Sequence, residues 1–347
     1  MSSFGDVILT ARRAKGLTHA ELIDDLGVTQ AALSRYENNL REPDEAMLEK
    51  LSKALDVSIG FLTHPFRLQG AIAADAHMRR QKSTKVSDWK IAEARLNLLR
   101  MRSAYLFERV PMQTDSYVPT FDPGETSPAD GARLTRAQWR LPVGPVRNLT
   151  RWLESAGILV VEERLGTRRI DGLSQWVGTF PVIMVNADLP TDRKRLTLAH
   201  ELGHLVLHAT YTDLEPEAQA NTFAAELLMP EHVIRPTLCS LTLGRLLDLK
   251  LDWGTSMQAT LEHAHRLGRV TVDERQRLDK AMNARGWKTT EPGSDRLQSE
   301  TPELIHLAGD RLRTAGLTDD EIAQRTGART PDQASPFLHS THQLHVV

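Results

Sequence analysis

The sequence predicts an α+β protein that is mostly α. An N-terminal helical domain is followed by an α+β domain with a small antiparallel or mixed sheet and a helical C-terminal part. Three observations predict it. Residues 4–62 place apolar side chains at helical spacing between recurring cap signals. Two short β-branched runs, at 158–161 and 181–186, stand alone among helical stretches. The segment 195–208 is helical in pattern and carries two histidines one turn apart, His200 and His204.

With 347 residues the chain is long enough for two or three domains. Forty-three Lys plus Arg against forty-five Asp plus Glu leave a formal charge of −2, so no general affinity for nucleic acid or acidic membranes follows. No apolar run approaches the roughly 18 residues needed to cross a bilayer. Residues 1–6 lack a basic stretch leading into an apolar one. A cytoplasmic protein with no membrane partner is expected. Cys239 stands alone, which excludes internal disulfides and a Cys-rich zinc ribbon. Any metal must be held by His and carboxylate.

Four segments are expected: a helix-turn-helix module at 1–66, a basic helical connector at 67–118, the α+β domain at 119–292, and a linker with a small helical tail at 293–347. Within the connector, Trp89, Ala92, Leu96, Leu99 and Leu106 predict one long helix over 86–110. Its excess of Arg and Lys reads as a solvated face covering the next domain, or as a supplement to DNA affinity. The Pro-, Gly- and Asp-rich 118–131 and the segment 288–301 read as linkers. A helix over 149–156 precedes the first β-branched run. Helix pairs are expected at 246–266 and 310–326, the latter as a solvated appendage. His339, His342 and His345 fall in a tail expected to fray.

In the N-terminal module, Thr18 and Glu21 form a capping box, with Leu17 and Leu22 at the staple positions. Val28-Thr29 starts a second helix in the same style, and Gly27 supplies the tight corner between them. That second helix presents Gln30, Ala31, Ser34 and Arg35 on one face behind Thr29. Gln and Arg there can pair bidentately with adenine and guanine edges in the major groove. A solvated polar face on a small bundle would read the same way. The module is acidic, seven Lys/Arg against ten Asp/Glu over 1–66, so weak binding as a monomer is expected. A homodimer would compensate. The stretch from Leu17 to Leu62 resembles Xre-type, lambda-repressor-like DNA-binding domains throughout. The resemblance implies a double-stranded DNA operator as partner, base-facing roles for Gln30, Ala31, Ser34 and Arg35, and phosphate-facing roles for His19, Asn38, Asn39 and Arg41. Asn39 stands where Gly is common, and Asn tolerates the left-handed backbone.

His200-Glu201-Leu-Gly-His204 places both imidazoles on one helix face, where they can converge on one Zn²⁺, with Glu201 beside them as a proton acceptor. A pair of buried histidines hydrogen-bonded to backbone would give the same spacing. Past Pro216, Glu217 and Asn221 share a helical face, whereas Glu226 lies on the opposite side. Two histidines and one carboxylate leave a zinc position open for water, the catalytic arrangement. His208 is about 12 Å along the axis from His200. It is read as a supporting or core residue rather than a ligand. The β-branched run at 182–185 is expected beside the site, able to pair with an extended substrate.

RLTLAHELGHLVLH followed by EPEAQANTFAAELLMP resembles the ImmA/IrrE family of zinc metallopeptidases, with the likeness extending over about 120–292. The resemblance implies a zincin-like fold, Zn²⁺ as cofactor, His200, His204 and Glu217 as its ligands, Glu201 as general base and Asn221 in support. It further implies a protein substrate, a repressor cut within or near its DNA-binding region. The expected function is thus a DNA-binding transcriptional regulator with a zinc-dependent endopeptidase domain. Two alternatives stay open: a DNA-binding regulator whose metallopeptidase-like domain only senses a ligand or metal, and an antitoxin-like protein.

Overall fold

The computed structural model describes residues 4–66, 85–108, 114–178, 180–209, 215–331 and 337–338. Five helices open the chain: α1 (Phe4–Ala14), α2 (His19–Leu26), α3 (Gln30–Glu37), α4 (Glu45–Leu55) and α5 (Ile59–Leu62). Local chemistry sets their ends. Thr18 accepts from the Glu21 amide while the Glu21 carboxylate accepts from the Thr18 amide, closing the expected box. Gly27 ends α2 at φ 66°, and Thr29 caps α3 by accepting from the Ala32 amide. Asn39 takes the left-handed conformation, φ 58°. Its side-chain oxygen accepts from the Gly5 amide at 2.7 Å, tying this turn to the start of α1. Val7, Ile8, Leu22, Leu26, Leu33, Leu51, Leu55 and Phe61 form the core of this domain.

The connector helix α6 (Val86–Phe107) departs from expectation. It is not a solvated basic face. Met101 and Tyr105 complete the N-terminal core, while Trp89, Leu96, Leu99 and Leu106 enter a second core beneath the sheet. Apolar residues on two faces of one helix bury it from both sides, and the arginines between them reach for carbonyls. Arg95 donates to the Ala14 and Arg164 carbonyls, and the buried Arg100 donates to that of Trp176. Arg67, Arg79, Arg80 and Lys82 of the expected basic run lie outside the described residues.

The second domain follows with α7 (Pro128–Gln138), α8 (Leu149–Ser155), β1 (Leu159–Glu163), β2 (Gly172–Val177), β3 (Phe180–Asn186), α9 (Thr191–Leu207) and α10 (Pro216–Leu228). The mixed sheet has the order β1-β3-β2. β1 runs parallel to β3, with Leu159 opposite Val182, and β2 runs antiparallel to it, with Ser174 opposite Ile183. One face, with Val160, Ile183 and Val185, packs on Leu198 and Leu202 of α9. The other, with Leu159, Val182 and Met184, packs on α6 and the tail. Burial on both faces explains why β3 reads as a continuous apolar run. Flanked on both sides, β3 has no free edge. The expectation that 182–185 could pair with a substrate is therefore corrected: the edge strand over α9 is β2.

Helices α11 (Glu231–Ile234), α12 (Leu243–Trp253), α13 (Met257–Arg266) and α14 (Val272–Ala284) extend the main core, and α15 (Leu304–Thr314) and α16 (Asp319–Arg325) close the chain. Both expected linkers are tied down. Helix α7 begins inside the first, behind its Ser127 cap, and the Phe121 amide donates to the Val206 carbonyl. In the second, Glu291 accepts from the buried Lys250, and Glu300 pairs with the buried Arg195. Cations withdrawn from water require such partners. Nor is the tail a solvated appendage: Ile305, Leu312, Ile322 and Phe337 are buried beneath the sheet. Val57 and Ala328 form an antiparallel bridge, so the tail also touches the N-terminal domain. His339, His342 and His345 lie outside the described residues. Among the described residues no helix is long and apolar enough to cross a membrane.

Candidate metal centre

Helix α9 is held by the burial of Leu198, Ala199, Leu202, Leu205 and Val206, which places His200, Glu201 and His204 in the interior, each at most 1% exposed. The bond between α9 and its neighbour is set by Gly203. A Cβ there would meet the Ala220 Cα at 3.1 Å and the Phe223 ring at 3.2 Å. A bare Cα at 203 lets α10 lie this close without α10 having to give way. That approach carries Glu217, in the first turn of α10 behind Pro216, to the two histidines.

Glu217 Oε2 is 3.4 Å from His200 Nε2, Glu217 Oε1 is 3.3 Å from His204 Nε2, and the two Nε2 atoms are 3.1 Å apart. Donors each about 2.0–2.1 Å from one tetrahedral zinc lie about 3.3 Å from one another, so the spacing fits such an ion. Among the described residues this is the one His/Cys/Asp/Glu group of three able to hold a metal. The protonation states fit as well. Burial pushes the His204 imidazole down to about 3, leaving it neutral near pH 7. Burial acts to raise the Glu217 carboxyl, but its closeness to the His200 and His204 rings outweighs burial and holds it well below the usual carboxylate range. Neutral imidazoles and an ionised carboxylate are what a divalent cation requires.

The outer nitrogens of both rings are held. His200 Nδ1 lies 3.1 Å from Asn221 Oδ1, an acceptor, so this nitrogen donates and its Nε2 lone pair turns inward. His204 Nδ1 lies 3.1 Å from His208 Nδ1, and His208 Nε2 lies 2.7 Å from Gln219 Oε1. With the Gln219 oxygen accepting from His208 Nε2, His208 Nδ1 accepts from His204 Nδ1. His208 sits just past the end of α9 and meets the pair at His204. Glu201 turns its carboxylate towards β2, where the Ser174 hydroxyl donates to Oε2 at 2.7 Å. Ser174 and Gln219 escape sequence reading. Ser174 lies in a strand without alternation, and Gln219 is two positions from Glu217, off the face that Glu217 and Asn221 share.

In the N-terminal domain Gln30, Ala31, Ser34 and Arg35 lie exposed together along α3, with Thr29 at its cap. The Asn38 amide donates to the Ser34 carbonyl and lies within reach of its hydroxyl. His19, partly exposed, pairs with Glu37, whose carboxylate also accepts from Arg12. The Arg41 guanidinium stacks 5.8 Å above the Tyr36 ring.

A capped helix pair with a polar, exposed second helix is joined to a buried His-Glu-x-x-His helix completed by a carboxylate, which defines a helix-turn-helix domain followed by a metallopeptidase-type domain. Comparison agrees. Residues 8–62 match the family model described as Helix-turn-helix, and residues 153–265 match the one described as IrrE N-terminal-like domain. The chain is 39% identical over 59 residues to the "Uncharacterized HTH-type transcriptional regulator YqaE" of Bacillus subtilis (strain 168), a match covering 17% of this chain and 51% of that protein. It is equally 39% identical over 59 residues to the "SPbeta prophage-derived uncharacterized HTH-type transcriptional regulator YonR" of the same strain, covering 17% and 55%. The chain thus spans about half the length of the curated relatives it matches. A helix-turn-helix domain and an IrrE-like peptidase-family domain are fused in one chain.

Proposed function

We propose that this chain is a cytoplasmic, operator-binding transcriptional regulator whose second domain is a zinc-dependent endopeptidase acting on a regulatory protein, a repressor being the favoured target. The observation that carries the reading is the convergence of His200, His204 and Glu217 within 4.8 Å, with Glu201 on the same helix. In this account those three residues hold Zn²⁺. When bound, the ion supplies Lewis acidity, polarising a scissile carbonyl and acidifying water towards a pKa of about 7.

The chain's own residues do the rest. Asn221 orients the His200 ring, and His208, backed by Gln219, orients that of His204. Glu201 takes the proton of the attacking water and passes it to the leaving amine. Burial of His200, Glu201 and His204 lowers the local dielectric and strengthens each of these interactions. In the N-terminal domain, α3 enters the major groove of the operator, Gln30 and Arg35 read base edges, and His19, Asn38 and Arg41 meet phosphates. Two copies acting together would compensate for the weak binding of one by adding a second set of contacts.

The test is incubation of the zinc-loaded protein with purified DNA-binding regulators encoded beside it, alongside a Glu201→Gln variant. The reading expects discrete fragments from the wild type alone. Identical patterns from both proteins, or no fragments from either, would remove the peptidase role.

A further inference from the structure

Strand β2 and helix α9 run side by side with matched periods. Two strand residues advance about 6.6 Å and four helix residues about 6 Å, so alternate positions of β2 meet every fourth position of α9. Three contacts follow this register. A Cβ on Gly172 would lie 2.6 Å from Thr197 Cγ2. Ser174 Oγ donates to Glu201 Oε2 at 2.7 Å and lies 3.3 Å from the Glu201 carbonyl oxygen. Trp176 Nε1 donates to the Leu205 carbonyl at 3.2 Å. Gly172 and Trp176 fix the strand at either end of the contact, and Ser174 falls in the middle, opposite the one acidic residue of the three helix positions. Both partners are buried, Ser174 at 3% and Glu201 at 0% exposure.

We propose that Ser174 is a positioning residue for proteolysis, fixing the carboxylate of Glu201 in the orientation from which it accepts a proton. This rests on the peptidase reading above. A glutamate on a helix has three rotatable side-chain bonds, and a buried carboxylate must be hydrogen-bonded to remain ionised. The Ser174 hydroxyl meets both needs. It engages one oxygen by a charge-assisted bond and selects one rotamer. The hydrogen bonds of Ser174 run to Glu201 rather than to a metal ligand, so its removal is expected to leave metal binding intact. A residue that orients the base changes the rate of the chemical step rather than the grip on substrate.

The experiment uses the full chain with Ser174→Ala, Ser174→Thr, Glu201→Ala and the Ser174→Ala/Glu201→Ala double variant. Zinc per chain is measured by elemental analysis, thermal melting is followed on chelator-treated protein, and turnover is measured on the regulator cut by the wild type. Expected for Ser174→Ala are wild-type zinc content, a loss of roughly 10- to 100-fold in kcat with KM little changed, and recovery in Ser174→Thr, which keeps the hydroxyl. In the metal-free chain, Ser174→Ala lowers the melting midpoint when Glu201 is present and has little further effect once Glu201 is alanine. An active wild type whose Ser174→Ala variant turns over equally fast, or additive effects of the two substitutions on melting, overturns the inference and leaves the peptidase reading standing. A wild type that cuts none of the regulators overturns both.

Discussion

His204 Nδ1 and His208 Nδ1 lie 3.1 Å apart, and His208 in turn reaches Gln219 at 2.7 Å. One ring nitrogen of His204 is thereby committed, and the other faces Glu217. Supporting contacts of this kind commonly carry 10- to 100-fold in metal affinity. His208→Ala and Asn221→Ala are each expected to weaken zinc binding by roughly that factor, measured by competition with a chromophoric chelator. Wild-type affinity in both variants would show that the outer hydrogen bonds do not set the ring orientations.

Gly203 governs how close α10 can come. A larger side chain must push against the Ala220 backbone and the Phe223 ring, both in the helix that delivers Glu217. Gly203→Val is expected to destabilise the domain by about 1–3 kcal/mol through overpacking. It should also lower zinc affinity by displacing Glu217 from the histidines. A valine variant that melts lower yet binds zinc like the wild type would separate the packing role from the placement of the ligand.

The buried Arg12–Glu37 pair, 2.6 Å apart, predicts a pH response of the N-terminal domain. Burial acts to raise the Glu37 carboxyl, but hydrogen bonds from Arg12 and His19 outweigh it, so its folded value is lowered. Stability from this carboxylate is therefore complete above the unfolded value of about 4.3 and is lost as the pH falls below it. Glu37→Gln should cost about 3 kcal/mol near neutrality, because it leaves Arg12 buried without a counter-charge. It should also flatten the acid limb of the stability profile. An unchanged slope below pH 4 would assign the acid transition to other carboxylates.

Arg35 is exposed on α3, beside Gln30, Ala31 and Ser34. Arg35→Ala is expected to weaken binding to the selected operator by about 1–3 kcal/mol, roughly 10- to 100-fold, with melting unchanged. Operator selection from random duplexes followed by a gel-shift titration measures this. Equal affinity of the two proteins would place base reading elsewhere.

Much of the fold is legible in the sequence because it is written in local chemistry. Thr18 with Glu21 marks one helix start, Gly27 its end and Asn39 a left-handed turn, and each of these signals acts within a few residues. The His200–His204 face needs only the helical repeat. What escaped was set by distant partners. Strand β2 carries Ser174 and Gln175 on a buried surface, so no alternation marks it. Helix α6 looked solvated because its arginines end on carbonyls such as those of Ala14 and Trp176, in other elements. The segment 288–301 looked like a linker because Glu291 and Glu300 find Lys250 and Arg195 only in three dimensions.

The central claim is that His200, His204 and Glu217 hold one zinc ion. Elemental analysis of the full chain, stripped with chelator, reloaded with zinc and dialysed, tests it most directly. The account predicts one zinc per wild-type chain and a near-complete loss in His204→Ala. A wild type that retains none, or a His204→Ala chain that keeps a full equivalent, would contradict it.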